Sequence, residues 1–379
     1  IQADMAQALA RAGDADHGLA LARDLTRRFP KSDEASIACG RILSDLGRYD
    51  EATDFFARVL RRDPENVASR MALAGLQAAQ GDFDLARKNY DRVLTIEPSN
   101  ATAHTALAEI LLRLEDWPAG WPSFRWRYGV RPEVLPVYFA ALDPEKQPKL
   151  WIEGSLRKQR LFLGAERNLI EQLLFAGLLP EVAKESRKVT LECDPRLTAL
   201  LATSFPSVDL IARNDLTPEY LEESKFQLVS TLGNLAARFR ASSGQFPPRP
   251  KATLTVDQAK VAALRAEYAG AANGRKLIGL SWRHTRPSPQ WPTPLDAWLP
   301  LIDRPDVMVV ALHPAGAEAE LADFAQRTGR DLIYDRRVDF SGDLGEYAVQ
   351  VQACDSLIAV EDLTAVLGGA LGKPTIKLK

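Results

Sequence analysis

The chain is short of everything that marks a secreted, metal-binding or membrane-spanning protein. Its 379 residues include only three cysteines, Cys39, Cys193 and Cys354. They are far apart and sit in no CxxC or Cys/His spacing, which excludes a disulfide framework and suits a reducing compartment. Histidines number four, with no ligand-like spacing, so no metal is expected. No apolar run approaches the roughly 20 residues of a membrane span, and the first residues carry no signal-peptide pattern. Charge of one sign is lacking too: 48 Lys and Arg against 50 Asp and Glu leave a formal net charge of -2. That excludes a whole-chain field for nucleic acid or an anionic membrane, so any basic site must be local. The expectation is a cytoplasmic, globular protein that is not membrane-spanning and binds no nucleic acid. Its length and 46% apolar content suit two or three domains.

What is present first is a repeat. Gly13, Gly47 and Gly81 are 34 residues apart, as are Pro30, Pro64 and Pro98. Five places after each glycine stands a small residue, Gly18, Ala52 or Ala86, and later a bulky one, Phe56 or Tyr90, where the first copy has Ala22. Each unit reads as two packed helices: the glycine turns the chain, the small residue lets the helices approach, and the proline ends the second. A fourth copy begins at Ala101, keeps Leu107, Ala108 and Gly120, then departs into GWPSFRWRY over residues 120–128. Trp121, Trp126 and Tyr128 interleaved with Arg125 and Arg127 can be read as a nucleic-acid stacking patch, but covering the exposed end of a helical stack is the favoured reading. Residues 1–128 resemble the tetratricopeptide family. The resemblance implies an acceptor protein or peptide on the concave face.

Residues 129–155 are Pro-rich and read as a linker. Beyond them short apolar runs alternate with helical stretches. Strands are expected at 160–164, 188–192, 208–211 and 226–230, and again at 277–282, 307–312, 331–334, 356–360 and 375–378, with the ASSGQFPPRPKATL stretch between the two sets. Two parallel-sheet domains follow, 156–245 and 246–379. In such sheets ligands sit beyond the carboxyl ends of strands. After LIGLSW, which ends in Trp282, come Arg283, His284 and Arg286, a cationic loop where phosphates can be held; a solvated basic loop is the plainer alternative. After the strand at 356–360 come Glu361, Asp362 and Thr364. Asp362 or Thr364 can cap a helix that packs through Gly368 and Gly369, and a helix amino end attracts anions. Glu361 and Asp362 repel a diphosphate unless they meet hydroxyls, a metal or the arginines.

The pieces GWPSFRWRY, LFLGAE, FAGLLP, LECDPRL, IGLSW and LIAVEDLTAVLGGALGKP, in this order, resemble bacterial proteins that fuse tetratricopeptide repeats to a GT-B glycosyltransferase module, related to heptosyltransferases and O-GlcNAc transferases. The resemblance implies an α + α/β protein: an N-terminal α-solenoid of four repeats, the last capping, followed by two Rossmann-like domains. Residues 156–245 take the acceptor side, and 246–379 the nucleotide-sugar side; the family's final crossover segment would follow Lys379, so the expectation is either that this side is truncated there or that the crossover is absent. The chain departs from the pattern where relatives read EQGLGD and VDTAVAHLAGALG: it has ERNLIE, losing two glycines at Asn168 and Ile170, and has Glu361, Asp362 and Val366 at the aspartate, threonine and histidine positions. A turn without those glycines does not let backbone N–H groups reach a phosphate.

The leading expectation is a metal-independent protein glycosyltransferase that moves a sugar from a nucleotide donor to Ser or Thr of a repeat-held acceptor; flagellin is one acceptor in such fusions. Glu166 and His284 are the candidate catalytic bases. Trp282, Arg283, His284, Arg286, Glu361, Asp362 and Thr364 are the candidate nucleotide-sugar contacts, with no permanently bound cofactor. For Glu166 the alternative is a carboxylate favoured by a helix dipole. A donor such as a cytidine monophosphate nonulosonic acid accounts for a dispensable glycine loop. The rival is a decayed GT-B and repeat adaptor that binds partner proteins; a lipopolysaccharide heptosyltransferase is a third, weaker reading.

Overall fold

A computed structural model describes residues 1–128, 139, 142–247, 252–283, 294–312, 317–338, 341–360 and 362–378. The chain divides into two compact units: Ile1–Pro132 with Ala241–Ser243, and Glu133–Arg240 with Gly244–Lys379.

Among its described residues the first unit has eight α-helices: α1 (Gln2–Arg11), α2 (Ala15–Arg28), α3 (Asp33–Asp45), α4 (Tyr49–Arg62), α5 (Val67–Gln80), α6 (Phe83–Ile96), α7 (Ala101–Arg113) and α8 (Trp117–Phe124). They pack as consecutive hairpins, each against the next. Gly13, Gly47 and Gly81 turn the first three hairpins with φ of 97°, 74° and 87°, the left-handed region that glycine enters without strain. The fourth hairpin turns at the equivalent position, 34 residues on, with Glu115 at φ 59°. The small residues close each pair: a Cβ at Gly18 would lie 2.6 Å from the Ala6 carbonyl oxygen, and Ala52 and Ala86 are fully buried. Phe56 and Tyr90 fill the cores of successive units. Asp14, Ser32, Asn66, Asn100 and Asp116 cap helix starts through their side chains, which satisfies donors that have no partner within the helix. The Asp-x-Asp spacings of the chain, Asp14 with Asp16 and Asp82 with Asp84, belong to these helix starts.

The aromatic segment at the end of the repeats packs inward. Trp126 stacks on His104 with centroids 4.4 Å apart, and Trp121 stacks on Trp117 at 5.9 Å. Arg127 is only 4% exposed, and its guanidinium lies 4.2 Å and 4.5 Å from the ring centroids of Phe124 and Tyr128, where cation–π attraction offsets part of its lost hydration. Of the two readings of GWPSFRWRY, packing is the one observed.

The second unit contains two separate parallel sheets. The first has the order β1 (Lys149–Leu150), β5 (Leu228–Thr231), β2 (Arg160–Gly164), β3 (Lys188–Cys193), β4 (Asp209–Ala212); the second has the order β7 (Val307–Ala311), β6 (Lys276–Ser281), β8 (Ser356–Ala359), β9 (Thr375–Lys377). The helices that bear on the site are α9 (Leu169–Ala176), α10 (Leu179–Glu185), α11 (Thr198–Ser204), α12 (Pro218–Ser224), α13 (Gln258–Ala272), α14 (Glu318–Thr328), α15 (Leu344–Ala353) and α16 (Leu363–Ala370). Two expectations change. The stretch 129–155 is more than a linker, because β1 pairs with β5 and Phe139 is buried edge-on against Phe162 and Phe226, at 5.0 Å and 6.3 Å between centroids. The expected strand at 331–334 contributes only an isolated bridge, Ile333 to Val310.

The sheets are joined by a pinned segment. The Ala370 carbonyl at the end of α16 accepts the N–H groups of Thr253 at 2.7 Å and Leu254 at 3.0 Å, and Thr255 donates its N–H to Ser204 Oγ of α11 at 3.0 Å. Helix α9 packs against α16, and α11 against α15. Gly368 lets α16 sit on its sheet, since a Cβ there would lie 2.3 Å from Leu357 Cδ1, whereas Gly369 faces open space. Among the described residues no helix is long and apolar enough to cross a membrane.

Glu115 gives a direct test. A non-glycine residue in the left-handed region is strained by roughly 1 kcal/mol, so Glu115→Gly should raise the unfolding free energy by up to about that amount in denaturant titrations followed by circular dichroism. Glu115→Ala should give no such gain.

Candidate functional site

The loop after β2 carries GAERNLIE. Its direction is set by two buried carboxylates. Glu166 is 1% exposed, and its Oε1 accepts the Gly233 N–H at 2.6 Å, which ties the end of β2 to the turn after β5. Glu192, at the end of β3, accepts the Ala165 N–H at 3.1 Å on one oxygen and Arg213 Nε at 2.8 Å on the other, so one side chain links the ends of β2, β3 and β4. Asn168 has an extended backbone, and its Oδ1 accepts the Glu171 N–H at 2.9 Å as the cap of α9. Arg167 pairs with Glu171 one turn on, and Ile170 is partly exposed. The turn that lacks glycine is thus held by side-chain capping. Gln172 braces it, donating to the Glu166 carbonyl at 3.2 Å and accepting the Asp194 N–H at 2.9 Å. Two hydrogen bonds from Arg196, both 2.9 Å, hold the Asp194 carboxyl below its ordinary pKa range.

On the second lobe, β6 ends in Ser281, with Trp282 and Arg283 following. Trp282 is fully buried in the core beneath β7, and its indole N–H donates to Glu320 Oε1 at 3.3 Å. Arg283 forms an ion pair with the other oxygen of Glu320. The Ser281 hydroxyl donates to Asp362 Oδ2, which also receives the Thr364 hydroxyl at 3.2 Å; Asp362 Oδ1 accepts the Ala365 N–H at 3.1 Å and so caps α16. With its proton committed to Asp362, Thr364 Oγ1 accepts from the Tyr347 hydroxyl at 2.7 Å. Asp362 is 6% exposed; burial pushes its carboxyl pKa up against the pull of these donors, and burial does the same to the Tyr347 phenol.

Helices α9 and α16 converge at their carboxyl ends on one residue. Thr253 donates its N–H to the Ala370 carbonyl, and its Cγ2 lies 3.3 Å from where a Cβ on Gly177 would stand. The two helices also pack together, and each begins beyond the carboxyl end of its own strand, α9 after β2 and α16 after β8, the end of the sheet where ligands of open α/β folds sit.

Of the residues expected from sequence, Glu166, Trp282, Arg283, Asp362 and Thr364 therefore all stand at strand ends. Glu166, Asp362 and Thr364 spend their described hydrogen bonds inside the protein. His284, Arg286 and Glu361 lie outside the described residues. Sequence reasoning missed Glu192, which sits in the quoted LECDPRL run, and Glu320 and Tyr347, whose partners come from other strand ends and leave no spacing signal. Among the described residues no group of three His, Cys, Asp or Glu side chains could hold a metal ion.

Residues 3–67 and 43–110 each match a tetratricopeptide repeat family model, so this part of the chain consists of tetratricopeptide repeats. Protein FlbA of Caulobacter vibrioides is 26% identical over 284 residues, covering 71% of this chain and 46% of that protein. The chain thus spans about half the length of the curated relative it matches. Among solved structures, a glycosyl transferase family 9 protein from Veillonella parvula aligns over 59% of this chain and 82% of its own, at 12% identity and a TM-score of 0.46. A thermophilic tetratricopeptide protein from Thermus thermophilus aligns over 34% of this chain and 72% of its own, at 16% identity and a TM-score of 0.31.

The Asp362 network makes a prediction about stability. Asp362→Ala removes a cap and leaves two buried hydroxyls without their acceptor, a loss of about 1–3 kcal/mol in urea unfolding of the intact chain. A carboxyl raised in the folded state contributes stability below its unfolded pKa and loses it as the pH rises through the folded value. The gap between parent and variant should accordingly narrow as the pH rises from about 4.

Proposed function

We propose that this chain is a metal-independent protein glycosyltransferase of the GT-B type, with the repeats holding an acceptor protein and the crevice at the carboxyl ends of the two sheets holding a nucleotide sugar. The observation that carries this reading is the convergence of α9 and α16, the helices that follow β2 and β8, on Thr253, which supports a site shared by the two lobes. A sugar donor and an acceptor hydroxyl need such a two-walled site to meet. In the reaction a Ser or Thr oxygen attacks the anomeric carbon, the bond from that carbon to the phosphate oxygen breaks with its electron pair leaving on the nucleotide, and a base takes the hydroxyl proton. Arg283, with His284 and Arg286 beyond it in sequence, offsets charge on the leaving phosphate. Of the two base candidates His284 is the stronger, since Glu166 is buried and engaged by the Gly233 amide. A glycine-free turn capped by Asn168 favours a donor with one phosphate, such as a cytidine monophosphate nonulosonic acid, over a diphosphate. A flagellin-type acceptor and a cytoplasmic setting belong to the same proposal.

One observation favours a second reading, an adaptor that binds partner proteins without turnover. Asn168, Asp362 and Thr364 make hydrogen bonds within the protein, as residues do when a site has been converted into scaffold.

The two separate cleanly. Intact chain is titrated calorimetrically with a panel of nucleoside mono- and diphosphate sugars, and nucleotide release is followed. A transferase should bind at least one at micromolar concentration and release nucleotide from it, and Arg283→Ala should lower release at least about tenfold, a loss of roughly 1.4 kcal/mol. No binding to any member of the panel would leave the adaptor.

A further inference from the structure

Arg283 leaves the end of β6 and meets Glu320, the third residue of α14, the helix that follows the neighbouring strand β7. The Arg283 side chain is 45% exposed and that of Glu320 24%, so an open guanidinium carries a less accessible counter-charge behind it. The carboxylate cannot follow the arginine into solvent, because its other oxygen takes the indole N–H of Trp282, which is buried in the core. A guanidinium has five donors in a fixed fork, and Glu320 engages Nη2. The remaining donors stay available to an anion in direct contact. Beyond contact range the picture differs, since a phosphate farther away senses the two charges together, and their sum is zero.

We propose that Glu320 is a specificity-determining residue of the donor site, which confines the pull of Arg283 to one contacted phosphate and withholds it from a second phosphate farther along the leaving group. The inference rests on the reading of the Arg283 loop as the phosphate site. It concerns a residue on a helix that the sequence pattern does not mark. Glu320 selects by charge: a leaving group with one phosphate gains nearly all that Arg283 offers, and a diphosphate gains little more.

The test is calorimetric titration of the intact chain with CMP and UDP as probes, at low and at high salt. Parent, Glu320→Gln, Arg283→Ala and the double variant are compared. Gln keeps an oxygen for the Trp282 indole and removes only the charge. The expected result is that Glu320→Gln tightens UDP roughly fivefold and CMP about twofold or less, the scale of one partly exposed charge pair. Both gains should shrink at high salt and vanish in the double variant, because a coupling between two side chains disappears once either is removed. An unchanged ratio of UDP to CMP affinity in Glu320→Gln overturns the inference, as does weaker binding of both, which is what a residue that merely holds Arg283 in place would give; in either case the phosphate-site reading survives. If Arg283→Ala leaves both affinities of the parent unchanged, or if neither parent nor Glu320→Gln binds either probe, that reading falls too, and the inference with it.

Discussion

The carbonyl oxygen of Ala370 accepts two backbone N–H groups, from Thr253 and Leu254, and the arrangement of the second unit depends on that junction. A crossing between two sheet lobes is ordinarily a place where backbone groups turn to water. Here the crossing is held on one side by the end of α16 and on the other by the reciprocal bonds between Ser204 and Thr255, at 3.0 Å and 3.2 Å. Each bond contributes about 1 kcal/mol, and together they define where α9 and α16 meet. The geometry of the candidate site follows from this junction more than from any residue within the site.

At the strand ends the governing constraint is the need to satisfy buried polar groups. Glu166, Glu192 and Asp362 are acidic side chains in places shielded from water, and each is surrounded by donors: backbone N–H groups, an arginine or hydroxyls. A glycine-rich turn would leave such donors pointing outward. In this chain, side-chain oxygens take up N–H groups at Asn168 and Asp362, and the loops gain fixed shapes as they lose free amides. Burial works against the charge of Asp362, and the hydroxyls of Ser281 and Thr364 restore much of what hydration would have given it.

Much of this was legible beforehand, for identifiable reasons. The 34-residue period and the turn glycines are local signals, and the hairpins form where they point; Glu115 was missed because only the backbone conformation survives at that position. Strands β2, β3, β6 and β7 are apolar runs bounded by turns and buried nearly throughout, as parallel strands covered on both faces are, while the edge strand β9 is largely exposed. Strand β1 is two residues long and Pro-flanked, and no pattern marks it. The stretch at 331–334 looked like its neighbours but makes a single bridge at the sheet edge. At the site, residues directly after strands were found by position alone. Glu320 and Tyr347 were not, since each reaches a partner on another strand end. Asn168 breaks the glycine pattern of a phosphate turn, and its short amide side chain is of the type that caps helices, the use it has here.

Gly368 has a mechanical consequence. Its bare Cα sits so close to Leu357 that α16 rests directly on the sheet, and a helix of eight residues is a short, stiff rod. Asp362 stands at the far tip of that rod, six residues away, or about 9 Å along its axis at 1.5 Å per residue. Any added methyl group at the fulcrum would tilt the rod and swing the tip. The spacing between helix and sheet thus sets the aim of a side chain that never touches it, and a change made deep in the core would be felt first at the hydroxyls gathered around Asp362.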